Sequence, residues 1–424
     1  MKIFIHKLNL FSKDGISFLG KMKVFFLSMI ALYSIQPYFF WDKNIVLAGF
    51  SILSFFFTFL EVFQKKKYLK LLINKEAIAT FSVFLLFFTW WHIVFFWSTK
   101  LNVFGFVSSF IVFFLPVSIF IFSSDLEKRY FLSLFTFIFS IICFVSFSFF
   151  VLHLLGFSLP YTELYHPKNT FYDHFENYRF FIIVRSGNII PVFFRFQSIF
   201  TEPGHLGMIC ALLLYANEYN FKKIHNIILL LCLLFSLSLA AYILFISGLF
   251  IYKYFSSKRK LPMILFLSCL IILLTLLGMM YYKSNPDSVL SQRILSRLIL
   301  DKDKGIVGNN RNTEQFTKIF SEFTSEPTKF FFGSGTTVNA LFPKGGESSY
   351  KNFVFEHGLL GLIFLGLFYL SSVINRKKPV LYGMFILWAL SFIQRPYAVW
   401  TSQIFIFMSY CVYASNDKKK INMN

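Results

Sequence analysis

Apolar runs long enough to cross a lipid bilayer constrain this chain more than any other feature. The stretches 77–97 and 261–281 contain no Asp, Glu, Lys or Arg, and about 20 apolar residues in a helix span a hydrocarbon core of roughly 30 Å. Inside a bilayer each segment must satisfy its own backbone polar groups, so many such runs in one chain build a helical bundle. Phe alone supplies 64 of 424 residues, and mean hydropathy is +0.64. The expected fold is all-α, a polytopic transmembrane helical bundle forming a single integral membrane domain over 1–424. Twelve spans are expected, at 24–41, 44–63, 77–97, 103–123, 130–156, 204–218, 225–238, 239–255, 262–281, 353–372, 379–394 and 396–414.

The run 225–255 is almost unbroken, and charge decides whether it crosses once or twice. Short loops on the cytoplasmic side carry the Lys and Arg. With two crossings, 23 basic residues fall on one side, in 1–23, 64–76, 124–129, 219–224, 256–261, 375–379 and 416–424. The short loops opposite hold only Lys43, Lys100 and Arg395. Both termini are therefore expected in the cytoplasm. The formal net charge of +21 then records topology and contact with anionic membrane lipids, and gives nucleic acid no role as a partner. All five cysteines lie in apolar runs as small packing residues, so no disulfide framework is expected.

The same parity places two long polar segments outside, 156–203 and 282–351. The first ends in a stretch from Arg195 to Gly207 that enters a span through Glu202, Pro203 and Gly204. Pro and Gly at a helix start fit an N-terminal turn, whose free amides and dipole attract anions. Glu202 either caps that turn or holds a neighbouring arginine. For Arg195 the plain alternative is a snorkelling side chain.

The second segment holds Arg293, Arg297, Arg311 and Glu347. Arg293 and Arg297 are four residues apart, so a helix there would set both guanidinium groups on one face, able to bracket a diphosphate or simply to be solvated. Arg311 stands in a turn-like Gly-Asn-Asn-Arg-Asn setting before a helical pattern. Gly333 and Gly335 frame a Gly-Ser-Gly turn, which either cradles phosphate or merely turns the chain. Glu347 lies eleven residues before Gly358, at the start of the next apolar run. A partly desolvated carboxylate there can serve as general base to a sugar hydroxyl, or cap a helix. No nucleotide-binding or zinc-protease motif occurs, and neither cofactor nor metal is expected.

Arg195 with Glu202 and Pro203, the Gly333 to Gly335 turn, and the Glu347 to Gly361 segment resemble, in this order, the repeat-unit polymerases of bacterial surface polysaccharide assembly (Wzy type) in the O-antigen polymerase and ligase group. The resemblance covers the whole architecture, with two large periplasmic loops separated by four spans. It implies a fold similar to the GT-C class and a metal-independent glycosyl transfer at the periplasmic face of the inner membrane. Its substrates would be undecaprenyl diphosphate-linked glycans, and a chain-length regulator is a conceivable partner. It assigns diphosphate binding to Arg195 and Arg311, with Arg293 and Arg297 as further candidates. Glu347 would be the base, supported by Glu202, Pro203, Gly333 and Gly335. The ligases carry a histidine where this chain has Glu347, which favours polymerase over O-antigen ligase. The segment 237–242 lacks the arginine of the Ser-Arg pair often found in the group. A polysaccharide flippase or other secondary transporter is the rival from another class, and few ionisable groups at mid-span argue against it.

Overall fold

The computed structural model describes residues 15–65, 75–98, 103–167, 174–185, 195–257, 260–288, 291, 295–298, 300–301, 305–306, 313–342, 350–374, 376, 378–395 and 397–415. Each of the twelve expected segments contains a helix: α1 Phe18–Ser34, α2 Asn44–Lys65, α3 Lys75–Ser98, α4 Val103–Phe122, α5 Asp125–Leu154, α6 Pro203–Ala216, α7 Ile224–Phe235, α8 Leu239–Ser256, α9 Lys260–Ser284, α13 Tyr350–Ile374, α14 Pro379–Gln394 and α15 Thr401–Ser415. Three short helices precede α13, namely α10 Glu314–Ser325, α11 Pro327–Phe332 and α12 Val338–Leu341. Among the described residues six helices (α2, α3, α4, α5, α8 and α13) are long and apolar enough to cross a membrane, while α6, α7 and most of α14 are apolar but shorter. The architecture is thus a mostly helical membrane bundle.

Two features depart from an all-α chain. Residues of the first polar segment form an antiparallel sheet of β1 Thr162–Tyr165, β2 His174–Asn177 and β3 Ile182–Val184, with Glu163 opposite Glu176 and Glu176 opposite Ile183. In the second, β4 Leu300–Asp301 pairs with β5 Gly305–Ile306. The three-stranded sheet is seated on the bundle by Tyr178, Phe181 and Ile183, which join its hydrophobic core. Tyr38 Oη donates to the Arg179 carbonyl at 2.7 Å, and Ser146 Oγ to that of Phe180 at 2.6 Å.

Local chemistry sets the helix boundaries. The first helix runs from Phe18 to Ser34 and does not reach residue 41, because Gln36 turns into the left-handed region at φ 59° and Pro37 cannot continue a helix. Ser17 caps its start, accepting from the Gly20 amide. Within α4 a π-turn at Phe110–Phe114 precedes Pro116, whose missing N–H disturbs the helical ladder. The run 225–255 breaks at 236–238, where Leu237 has φ 44° and Ser238 caps α8 by accepting from Ala241 N.

Contacts show how the broken run lies. Gly207 in α6 meets Ala241 and Ser236, whereas Tyr219, just past α6, meets Gly248 and Tyr252. Hence α8 packs on α6 and runs parallel to it, α7 runs antiparallel to both, and Lys223 and Ser256 lie at one end of the bundle. The same end holds a buried triad in which Lys23 Nζ lies 3.0 Å from Glu61 and 2.6 Å from Glu127, each side chain 2% exposed. Lys23 is therefore a packed helix residue rather than a loop charge. Such a triad fixes register between α1, α2 and α5, since each charge is tolerable only beside its partners. At the opposite end gather the sheet, the Ser236–Ser238 turn and the linker between α14 and α15, joined by contacts such as the Pro37 to Phe200 bridge.

The core is centred on α6. All its residues from Pro203 to Ala216 are buried, as befits a helix apolar on every face. Its N-terminus opens at the end that carries the polar segments.

Candidate functional site

Glu202 occupies the N-cap position of α6 with extended backbone, φ −136° and ψ 144°, and Pro203 follows at the first helical position. Of the two roles open to Glu202, the structure selects the second. Its side chain makes no capping bond, and its carboxylate instead accepts from Arg395 Nη1. Arg395 lies in the linker between α14 and α15, and both partners are 15% exposed. The same Nη1 donates to Tyr397 Oη at 2.6 Å, and that oxygen lies 3.0 Å from His205 Nε2. Trp400 stacks on Tyr397 with ring centroids 4.0 Å apart and meets the His205 ring edge-on at 4.8 Å.

Burial by itself would lower the Arg395 pKa, but Glu202 and Tyr397 outweigh it and raise it, so the guanidinium stays charged. Gly204 permits the approach. A Cβ there would stand 3.2 Å from Arg395 Nη2.

Arg195 is held at the turn between α7 and α8. Its Nε donates to the Ser236 carbonyl at 3.2 Å, and the next amide, of Phe196, donates to the Phe235 carbonyl at 3.0 Å. This extended stretch satisfies carbonyls at the end of α7 that a helix leaves open. Ser236 in turn packs on α6, where a Cβ on Gly207 would lie 3.0 Å from its Oγ. Arg395 therefore packs on the first turn of the central helix at Gly204, and Arg195 is tied to the Ser236 turn that meets the helix at Gly207.

The glycine turn at Gly333 and Gly335 packs against α13. Ser334 N donates to the Phe355 carbonyl at 2.8 Å and Gly335 N to the Glu356 carbonyl at 3.3 Å. Two of the amides a phosphate cradle would offer are thus committed to α13. Gly333 has φ 91° and sits against Gly358, itself at φ 70° and ψ 178°, where α13 kinks. A Cβ on Gly358 would come within 2.4 Å of Gly333 N. At this clamp Glu356 Oε1 accepts from Val338 N at 2.8 Å, and Trp90 Nε1 donates to the His357 carbonyl at 2.9 Å. Phe316, Phe323, Val338, Val354 and Phe355 form a small core of their own beneath it.

Arg293, Arg311 and Glu347 lie outside the described residues. Arg297 falls in a 3-10 turn at Leu295–Leu298, and whether it shares a face with Arg293 lies outside the described residues. Arg395, Tyr397 and His205 were not foreseen as a cluster. The available signal was an arginine between two apolar runs with no room for a solvated loop, where a charge must find a partner. Comparison with protein-family models, curated proteins and solved structures finds no match.

Proposed function

We propose that this chain is a membrane-embedded glycosyltransferase that joins undecaprenyl diphosphate-linked repeat units into a surface polysaccharide, O-antigen or capsule, at the periplasmic face of a bacterial inner membrane. The observation that supports this reading is Arg195, whose Nε donates to the Ser236 carbonyl, together with the Glu202 to Arg395 pair at the start of α6. They stand at the end of the bundle where both long polar segments emerge. A helix of 14 residues rises about 21 Å, short of the roughly 30 Å of hydrocarbon. Its N-terminus can thus sit below the membrane surface, where a cation acts strongly on an anion.

In this reading Arg195 and Arg311 hold the diphosphate of the donor. A terminal hydroxyl of a second lipid-linked repeat attacks the anomeric carbon, the bond from that carbon to the diphosphate oxygen breaks, and the hydroxyl proton passes to Glu347. Undecaprenyl diphosphate departs with the electron pair. Its growing negative charge is what bidentate guanidinium groups stabilise. Arg395, neutralised by Glu202, shapes the turn rather than gripping substrate.

Ion pairs among the described residues lie toward the two ends of the bundle, as with Lys23 to Glu61 and Glu202 to Arg395. A transporter would place such groups near mid-membrane, so this distribution favours the enzyme. Deleting the gene and resolving surface glycan on a gel tests the reading. Single repeats on the core are expected. Loss of all glycan from the core would indicate a ligase instead, and an unchanged ladder would remove both.

A further inference from the structure

A cavity of about 260 Å³ opens at the end of the bundle opposite the Glu202 to Arg395 cluster, between α3, α5, α13 and α15. Lys128, Arg376, Thr80 and Ser372 line it, with Asp125 and Glu76. The charges are graded by depth. Lys128 is 7% exposed, and Arg376 is 16% exposed beside an Asp125 that is 52% exposed and 3.5 Å away. Cations thus stand inside and carboxylates at the rim.

Donors remain unspent at this cavity. An ammonium carries three N–H groups, and the one hydrogen bond Lys128 makes among the described residues is to the Ile121 carbonyl at 2.8 Å. Two donors are left on a nearly buried cation, which is costly unless something anionic meets them. The Thr80 hydroxyl accepts from Ser371 Oγ at 3.3 Å but donates to no described group, and the Ser372 hydroxyl has no described partner. By contrast Ser123 and Ser124 are committed, to the Ile119 carbonyl and to Glu127.

We propose that this cavity binds a phosphate group, held by Lys128, Thr80 and Ser372 with Arg376 adding charge. Its volume lies just below the roughly 300–1,000 Å³ of pockets for drug-sized ligands, enough for a phosphate and the atoms esterified to it. The basic end of the bundle is where headgroup phosphates of a cytoplasmic leaflet would lie. The site is independent of the polymerase reading and survives its failure.

The purified full-length protein tests it in two arms. Inorganic phosphate is titrated against thermal unfolding in detergent, and retention of phosphatidylglycerol against phosphatidylcholine is measured by native mass spectrometry. A phosphate-dependent rise in unfolding temperature identifies a free anion, and selective retention of phosphatidylglycerol identifies a headgroup. Either supports the site, and neither response overturns it. Lys128→Met should weaken whichever binds by about tenfold or more, the scale of a lost hydrogen bond to a charged group. Lys222→Met, at the same end but away from the cavity, should bind as the parent does. If Lys128→Met fails to fold, Thr80→Val with Ser372→Ala should still weaken binding by about fivefold. Parent-like affinity in the folded variants would overturn the proposal.

Discussion

The carboxylate of Glu202 illustrates how a side chain's partner escapes a local reading. Sequence shows an acid before Pro203 and Gly204 and offers two roles, cap or counter-ion, but the choice depends on Arg395, 193 positions away. Arg195 stands out at the mouth of a span, but its bond to the Ser236 carbonyl likewise depends on a distant partner. Arg395 was visible only as a charge on the sparsely basic side, since nothing in its neighbourhood announces a partner. The pair also makes a quantitative expectation. Glu202→Gln leaves a mostly buried guanidinium without its counter-charge, which costs about 3 kcal/mol, the lower end for such pairs because each partner keeps some solvent contact. Adding Arg395→Gln removes the orphaned charge, so the double variant should recover a substantial part of the loss. Thermal unfolding of the three variants in detergent measures this. Equal destabilisation by the single and double variants would mean that the two side chains act independently.

Among the elements, periodicity and apolar length found every long helix, because a membrane-spanning run writes its fold directly into composition. What they missed is informative. The strands at 162–184 carry no clean alternation, as only Phe175 of β2 is fully buried, so their placement rests on contacts with the linker after α1 and with α5 instead. The Gly333 to Gly335 turn was legible as a turn, yet its purpose required seeing Gly358 opposite. Gly358 occupies a backbone region open essentially to glycine alone, where another residue costs about 1–3 kcal/mol. Gly358→Ala should therefore lower the unfolding temperature and speed proteolysis of the α10 to α12 segment. Gly366, farther along the same helix with no atom within 4 Å of an added Cβ, is the control, and Gly366→Ala should be neutral or stabilising. Indistinguishable behaviour of the two alanine variants would contradict the clamp.

For the whole molecule, the distribution of Lys and Arg anticipated how the bundle sorts its connections, and α7 and α8 are the decisive case. Their reversal at Leu237 brings Lys223 and Ser256 to one end, so reporter fusions after Lys223 and Lys260 should report one side of the membrane, and fusions after Tyr165 and Lys318 the other. Lys223 and Lys260 on opposite sides would mean a single crossing. Function was less legible than the helices, since Glu347 and Arg311 lie in polar stretches with no periodic pattern to fix their neighbours. The most direct test of the polymerase reading uses lipid-linked repeats accumulated by a deletion strain, extracted and supplied to the purified protein in liposomes. A ladder of lengthening glycan should form, with one undecaprenyl diphosphate released per linkage, and Arg195→Lys should lose most of it, because an ammonium cannot make the paired hydrogen bonds of a guanidinium. Repeats that stay single in the presence of folded, membrane-inserted protein would contradict the assignment.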